Sequence, residues 1–292
     1  MKFSNNMTVK GNLTLKAEID EGSGFCFGVV RAITKAEEML EEGGQVYCVG
    51  QIVHNEEEVS RLSSKGLITI RHNELKNLSH KNILFRAHGE PPDSYHSART
   101  HKNRVVDATC PIVLKLQRDI HKSWQRGENV FIFGKSDHPE VKGLNGQTSN
   151  QAVIFQSLEE LKDVNLPHEL TLFSQTTMNL DAFYKIVEYL KDQGIDVQVR
   201  DTICRQVSNR KHELETFSRS HDRVLFVAGK NSSNGKALYH ICRRQNPNTH
   251  FVSTTGEIQR EWFRKGETIG ICGATSTPHW LLEKVKTAVE AL

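Results

Sequence analysis

The sequence predicts an α/β fold of three similar lobes arranged as a pseudo-threefold trefoil. Three observations predict it. Short apolar runs that close on Gly, His, Ser, Thr or Cys alternate with segments whose apolar residues recur every three or four positions, the mark of strands followed by helices. At 292 residues the chain exceeds the roughly 100 to 200 residues that one compact core organises. A strand carrying Asp at its end, then a cysteine, then a helix occurs three times, with 84 residues from Cys26 to Cys110 and 94 from Cys110 to Cys204, each close to the length of one α/β unit.

In chain order, Ala17–Asp20 leads through Gly22, Ser23 and Gly24 to Cys26, and Val29–Glu42 follows as a helix with Val29, Ala32, Ile33, Ala36 and Met39 along one face. Gln45–Ile52 reads as a strand, Glu56–Lys65 as a helix and Asn82–Arg86 as a strand. Val105–Ala108 is a strand that runs through Thr109 into Cys110. The helix Pro111–Arg126 opens with proline at a position that tolerates it. Asn129–Phe133, Leu170–Phe173 and Asp196–Arg200 are the next strands, with Leu180–Gln193 as a helix, and Asp201–Thr202–Ile203 leads into Cys204. Helices Ser208–Ser220, Gly235–Gln245 and Thr277–Leu292 accompany the strands Arg223–Ala228 and Thr268–Cys272. The sheets should be parallel and covered by helices. The lobes then fall at residues 1–108, a first lobe with an N-terminal extension; 109–202, a second; and 203–276, a third. Residues 277–292 form a C-terminal helix packing back on the first lobe. The first dozen residues read as a polar extension.

Composition narrows the function. Lys plus Arg outnumber Asp plus Glu by only 38 to 35, so no polycationic field points to nucleic acid, and a small anionic ligand suits the balance better. No stretch approaches the roughly 18 consecutive apolar residues of a membrane span, and the polar start lacks the apolar core of a signal peptide. A cytoplasmic protein with no membrane partner is expected. Six cysteines without a secretion signal are then reduced thiols rather than a disulfide framework.

Three of those thiols, Cys26, Cys110 and Cys204, stand at matching places before helices, where backbone N–H groups and the positive end of the dipole favour the thiolate that metals require. No Cys-x-x-Cys pair marks a structural zinc site. Ligands spread over three lobes suit an iron-sulfur cluster, in which three cysteines leave one iron without a protein ligand. Cys48, Cys242 and Cys272 lie inside apolar patterns and read as core. His54, His88 and His138 each follow a strand, at the end where α/β proteins bind ligands, and are candidates for holding an anion by hydrogen bonds. The segment Gly229–Lys236, with Ser232, Ser233 and Asn234, is a polar loop at a helix start and a phosphate cradle. It is not a Walker A loop, because five residues separate Gly229 from Gly235 and Ala237 replaces the magnesium-binding hydroxyl. Ser174–Thr177 and Gly273–Pro278 offer similar donors, and Gly22–Gly28 has the wrong spacing for a dinucleotide fingerprint. Glu140 shares a turn with His138; shielded there, it can supply protons alongside a hydroxyl such as Thr176.

These residues form an ordered series: Gly24-Phe25-Cys26-Phe27-Gly28-Val29, Val53-His54-Asn55, Ala87-His88-Gly89, Asp107-Ala108-Thr109-Cys110-Pro111, His138-Pro139-Glu140-Val141, Ser174-Gln175-Thr176-Thr177, Ile203-Cys204 and Lys230-Asn231-Ser232-Ser233-Asn234. The series resembles the LytB/IspH family of 4-hydroxy-3-methylbut-2-enyl diphosphate reductases, over about residues 14 to 290. The resemblance implies a trefoil around a central 4Fe-4S cluster ligated at Cys26, Cys110 and Cys204, with the fourth iron open to substrate. It implies the last step of the methylerythritol phosphate route to isoprenoids: reduction of an allylic diphosphate to isopentenyl and dimethylallyl diphosphate. It carries diphosphate binding over to His54, His88, Ser232, Ser233, Asn234 and Ser276, a further substrate contact to His138, a hydroxyl near the reacting end to Thr176, and the proton donor to Glu140. A monomer supplied with electrons by a carrier such as ferredoxin or flavodoxin is implied as well. Val207, three residues after Cys204, departs from the hydroxyl residue of other members, and Ser208 is the substitute beside it. Two other classes use the same residues: a zinc-dependent phosphoester hydrolase, and a non-catalytic phosphometabolite sensor with redox-active thiols.

Overall fold

The computed structural model describes residues 13–292; the polar extension expected before them lies outside the described residues. The chain begins with strand β1 (Lys16–Ile19) and helix α1 (Phe27–Glu41), whose buried Gly28, Ala32, Ala36 and Met39 fall three or four residues apart on one face. Then come β2 (Val46–Val49), α2 (Glu56–Ser64), β3 (Leu67–Ile70), β4 (Asn82–Phe85), α3 (Pro92–Thr100), β5 (Arg104–Asp107) and α4 (Pro111–Gln125). The middle of the chain forms β6 (Val130–Phe133), α5 (Pro139–Gly146), β7 (Val153–Phe155), α6 (Leu158–Lys162), β8 (Glu169–Ser174), α7 (Leu180–Asp192) and β9 (Asp196–Val199). The last part forms α8 (Arg205–Ser208), α9 (Arg210–Arg219), β10 (Arg223–Val227), α10 (Ser233–Gln245), β11 (Thr249–Val252), β12 (Thr268–Gly273) and α11 (His279–Glu290).

Three four-stranded sheets result, ordered β3-β2-β4-β5, β7-β6-β8-β9 and β1-β12-β10-β11, and every pairing is parallel. The orders are one topology repeated. Strands β2 to β5 and β6 to β9 are laid down identically, and β10, β11 and β12 occupy the same three places in the last sheet. Its fourth place is taken by β1, which pairs with β12 from Lys16↔Thr268 to Ile19↔Ile271.

This corrects two expectations about the lobes. Residues 16–19 belong to the sheet of the last lobe rather than to a first lobe at 1–108, because β12 has an open edge that only the N-terminal strand fills. The C-terminal helix packs on that same sheet: Leu281, Leu282, Val285 and Val289 share a core with Leu15, Leu225, Ile269 and Ile271. The expected strand Gln45–Ile52 stops at Val49, because Gly50 turns the backbone with φ +74°. The expected helix Ser208–Ser220 is divided at Asn209 into α8 and α9.

The chain forms two compact units. One is Phe25–Lys211, with the β2–β5 and β6–β9 sheets; the other joins the segment ending at Gly24 to His212–Leu292. No helix among the described residues is long and apolar enough to cross a membrane.

Candidate active site

Each of the three repeated cysteines follows an edge strand of its sheet: β1 before Cys26, β5 before Cys110, β9 before Cys204. The Asp of the repeat has a structural cause. Asp107 Oδ1 accepts from Thr109 N at 2.9 Å and Asp201 Oδ1 from Ile203 N at 3.3 Å, so both turn the chain sharply just before the thiol. Each cysteine is then the residue that caps the following helix, α1, α4 or α8. Main-chain bonds hold two of them to neighbouring strand ends: Cys110 N donates to Ala87 O at 3.0 Å, and Cys204 N to Thr176 O at 2.8 Å.

All three thiols lie in the Phe25–Lys211 unit, half-buried, and feel one another's charge. Burial pushes the Cys26 thiol up, while the N–H groups of Val29 and Gly28 pull it back; Cys110 is likewise raised by burial and opposed by the N–H groups of Ile112 and Val113. Such thiols keep their protons until a metal takes their place. Gly28 leaves the space between two of them clear, since a Cβ there would stand 2.7 Å from Cys110 Sγ. The donor set fits a sulfur-ligated metal centre. One zinc ion would need its thiolates roughly 3.8 Å apart, from a tetrahedron of about 2.3 Å bonds. Among the described residues, only His54, His88 and His138 bring three potential donor atoms within 4.8 Å of one another. Cys48, Cys242 and Cys272 are buried in apolar clusters, as their patterns predict, and none of the six cysteines forms a disulfide.

The three histidines meet in the same unit. Ring centroids lie 5.4 Å apart for His54 and His88, 5.5 Å for His88 and His138, and 6.4 Å for His54 and His138. Glycines bring the last two together: Gly89 turns at φ +76°, and at Gly143 in α5 an added Cβ would sit 3.2 Å from Gly89 O. Burial holds all three imidazoles below their ordinary basicity, His88 well below and His138 at about 4, with Arg86 contributing to each. They are neutral near pH 7. Three neutral imidazoles this close are able to ligate a metal, but His138 is oriented otherwise. Its Nδ1 accepts from Glu140 N at 3.2 Å, which places its proton on Nε2 and makes the exposed nitrogen a donor. A donor suits an oxyanion.

Glu140 sits at the start of α5, 2% exposed. Its Oε1 accepts from Thr176 N and its Oε2 from Thr176 Oγ1, both at 2.7 Å. Burial lifts the carboxyl to about 7 despite both bonds. Cys110 senses its charge, so the acid lies within electrostatic reach of that thiol.

In the other unit, Ser232 caps α10, accepting from Gly235 N at 3.0 Å, and its Oγ lies 3.4 Å from Ser276 Oγ. Ser233 is exposed and Asn234 half-buried in the first turn, where the dipole favours an anion. Val207 and Ser208 fall in the short α8 directly after Cys204. Sequence reasoning missed two residues, Arg86 beneath the histidines and Gly28 beside Cys110. Each had a signal: a charged residue closing the apolar strand Ile83–Phe85, and a glycine in the first turn of an otherwise apolar helix face.

The family model described as LytB protein matches residues 18–290. The chain belongs to the LytB family. One LytB relative, the 4-hydroxy-3-methylbut-2-enyl diphosphate reductase of Bacteroides fragilis, is 47% identical over 284 residues, covering 95% of this chain and 98% of that protein. Another of the same name, from Chloroherpeton thalassium, is 40% identical and covers 95% of this chain and 97% of its own. A solved structure of (E)-4-hydroxy-3-methyl-but-2-enyl diphosphate reductase, the terminal enzyme of the non-mevalonate pathway, matches with a TM-score of 0.75 at 33% identity, covering 95% of this chain and 99% of that one. The E-1-hydroxy-2-methyl-but-2-enyl-4-diphosphate reductase of Plasmodium falciparum matches with a TM-score of 0.80 at 27% identity, over 94% of this chain and 87% of that one.

Proposed function

We propose that this chain reduces 4-hydroxy-3-methylbut-2-enyl diphosphate to isopentenyl and dimethylallyl diphosphate, the last step of the methylerythritol phosphate route. The allylic C–O bond breaks, two electrons and two protons enter, and water leaves. One observation carries the reading: a buried carboxyl lifted to about 7, bonded to a hydroxyl and within electrostatic reach of Cys110, whose thiol is in turn within reach of Cys26 and Cys204. A hydrolase has no use for that thiol set, and a sensor none for that acid.

Cys26, Cys110 and Cys204 would hold a 4Fe-4S cluster with one iron lacking a protein ligand; when bound, it supplies single electrons and a Lewis-acidic iron. The remaining work belongs to the chain. His54, His88 and His138 donate to diphosphate oxygens, His138 through Nε2. Ser232, Ser233, Asn234 and Ser276 are proposed as further diphosphate donors, with the start of α10 favouring the charge. Glu140, half-protonated near neutral pH, passes its proton through Thr176 Oγ1 to the departing oxygen and is reprotonated between turnovers. Electrons come from a small carrier protein such as ferredoxin or flavodoxin. Thiols without a disulfide suit a reducing compartment, and we place the enzyme in the cytoplasm as a monomer.

The test is anaerobic purification followed by reduction of the diphosphate with dithionite and a viologen. A brown protein that bleaches in air and forms both products is expected. Iron-replete protein that yields neither product would end the proposal.

A further inference from the structure

Arg86 is a cation in the wrong place for a merely structural one. It follows β4 directly, is 4% exposed, and lies within electrostatic reach of His54, His88 and His138. Its guanidinium rests flat against Gly50, where a Cβ would meet Cζ, Nη2 and Nη1 at 2.4 to 2.6 Å, so the glycine makes the room it occupies. Among the described residues its guanidinium makes one hydrogen bond, from Nη1 to Gln51 O at 2.7 Å, and its buried Nε has no partner.

No carboxylate pairs with it among the described residues. Glu90 is near enough for its charge to be felt and compensates the guanidinium in part, but it makes no ion pair with it: its Oε2 meets His72 Nε2 at 2.5 Å and Ser94 Oγ at 3.3 Å, and its Oε1 is buried without a partner among the described residues. Cys48, on the other side, is a buried thiol pushed up to about 12 and therefore neutral. Around the histidines, Glu56 faces His54, while Lys135 and Asp137 face His138 with opposing effects. A buried charge this weakly paired is destabilising, and an ordinary core would replace it with an apolar residue. It persists where something else supplies the opposite charge.

We propose that Arg86 is the fixed countercharge of the three-histidine face, a positioning residue behind those donor rings that is fully compensated when a diphosphate group occupies that face. The proposal rests on the reading of this face as a diphosphate site. One permanent cation behind three uncharged donors attracts a polyanion without asking four neighbouring groups to be charged at once. It also selects against neutral allylic alcohols, which leave the guanidinium only partly compensated.

The test compares Arg86→Met, Arg86→Lys and Gly50→Ala with the unaltered holoenzyme in viologen-driven turnover, and in thermal melting with and without inorganic diphosphate. For Arg86→Met, KM for the allylic diphosphate should rise at least tenfold with a much smaller change in kcat. Its melting temperature without ligand should equal or exceed that of the parent, and the upward shift with inorganic diphosphate should vanish. Arg86→Lys should restore most of both. Gly50→Ala, which displaces the guanidinium and keeps its charge, should also raise KM. A lower melting temperature with an unchanged diphosphate shift in Arg86→Met makes the residue structural and overturns the proposal. Should Arg86→Met fail to fold, an unaltered KM in Gly50→Ala does the same. The melting arm needs no turnover, so an inactive parent enzyme sinks the reductase reading without touching this one.

Discussion

At the scale of single residues, the proposed chemistry turns on Glu140. Its carboxyl titrates near 7 because burial outweighs the two bonds from Thr176. Glu140→Gln keeps the shape and loses the proton, so turnover should fall at least a hundredfold while KM moves little, measured with viologen as donor. In the unaltered enzyme, kcat should decline as pH rises above about 7, where the acid form is lost. Stability has the same sign. The native carboxyl holds its proton up to about 7, whereas the unfolded one releases it near 4.5, so this group's contribution is present at low pH and is lost between the two values. That is about 3 kcal/mol for a shift of this size, an upper figure. Melting at pH 5 and pH 8 should differ less in Glu140→Gln than in its parent. The sequence made Glu140 legible through its turn with His138. The tautomer of His138 was not legible, because it depends on one main-chain N–H two residues away.

At the scale of elements, helix starts carry the site. α1, α4 and α10 each begin at a proposed ligand or donor, and none has an acidic residue in its first turn to compete with a thiolate or phosphate. Gly28 sets how closely α1 approaches Cys110. Gly28→Ala would thrust a methyl group to 2.7 Å from Sγ, inside any tolerable contact. The protein should still fold, but iron content after anaerobic reconstitution should fall by at least half; full iron would mean that Cys110 moves aside freely. Long amphipathic helices such as α4 and α7 were readable from their periodicity. α5 was not, because Gly143 and Gly146 depress helix propensity and are present to let the helix approach Gly89 and Pro91. β3, β7 and β11, each a short strand at the edge of its sheet, were not read from the sequence either.

At the scale of the whole molecule, one repeat is completed by a strand distant in sequence. Each lobe is three strands plus a fourth that delivers a cysteine, and the fourth strand of the last lobe is supplied by the N-terminus. The three cysteine segments carry the repeat but not this closure, because strand pairing between residues as distant as Lys16 and Thr268 leaves no local pattern. The arrangement has a consequence for how the chain comes apart. Removing residues 1–20 deletes β1, opens the edge of β12, and strips Leu15, Ala17 and Ile19 from the core beneath α11. Phe25–Lys211 keeps both of its own sheets intact. Limited proteolysis of the truncated protein should therefore cut rapidly within His212–Leu292 and leave a resistant fragment near Phe25–Lys211, identifiable by mass. Equal resistance across the chain would mean that β1 is dispensable to the sheet it completes. Because all three thiols lie in the resistant unit, the fragment should retain measurable iron after reconstitution, whereas the donors at Ser232 and Ser276 would be lost with the digested part.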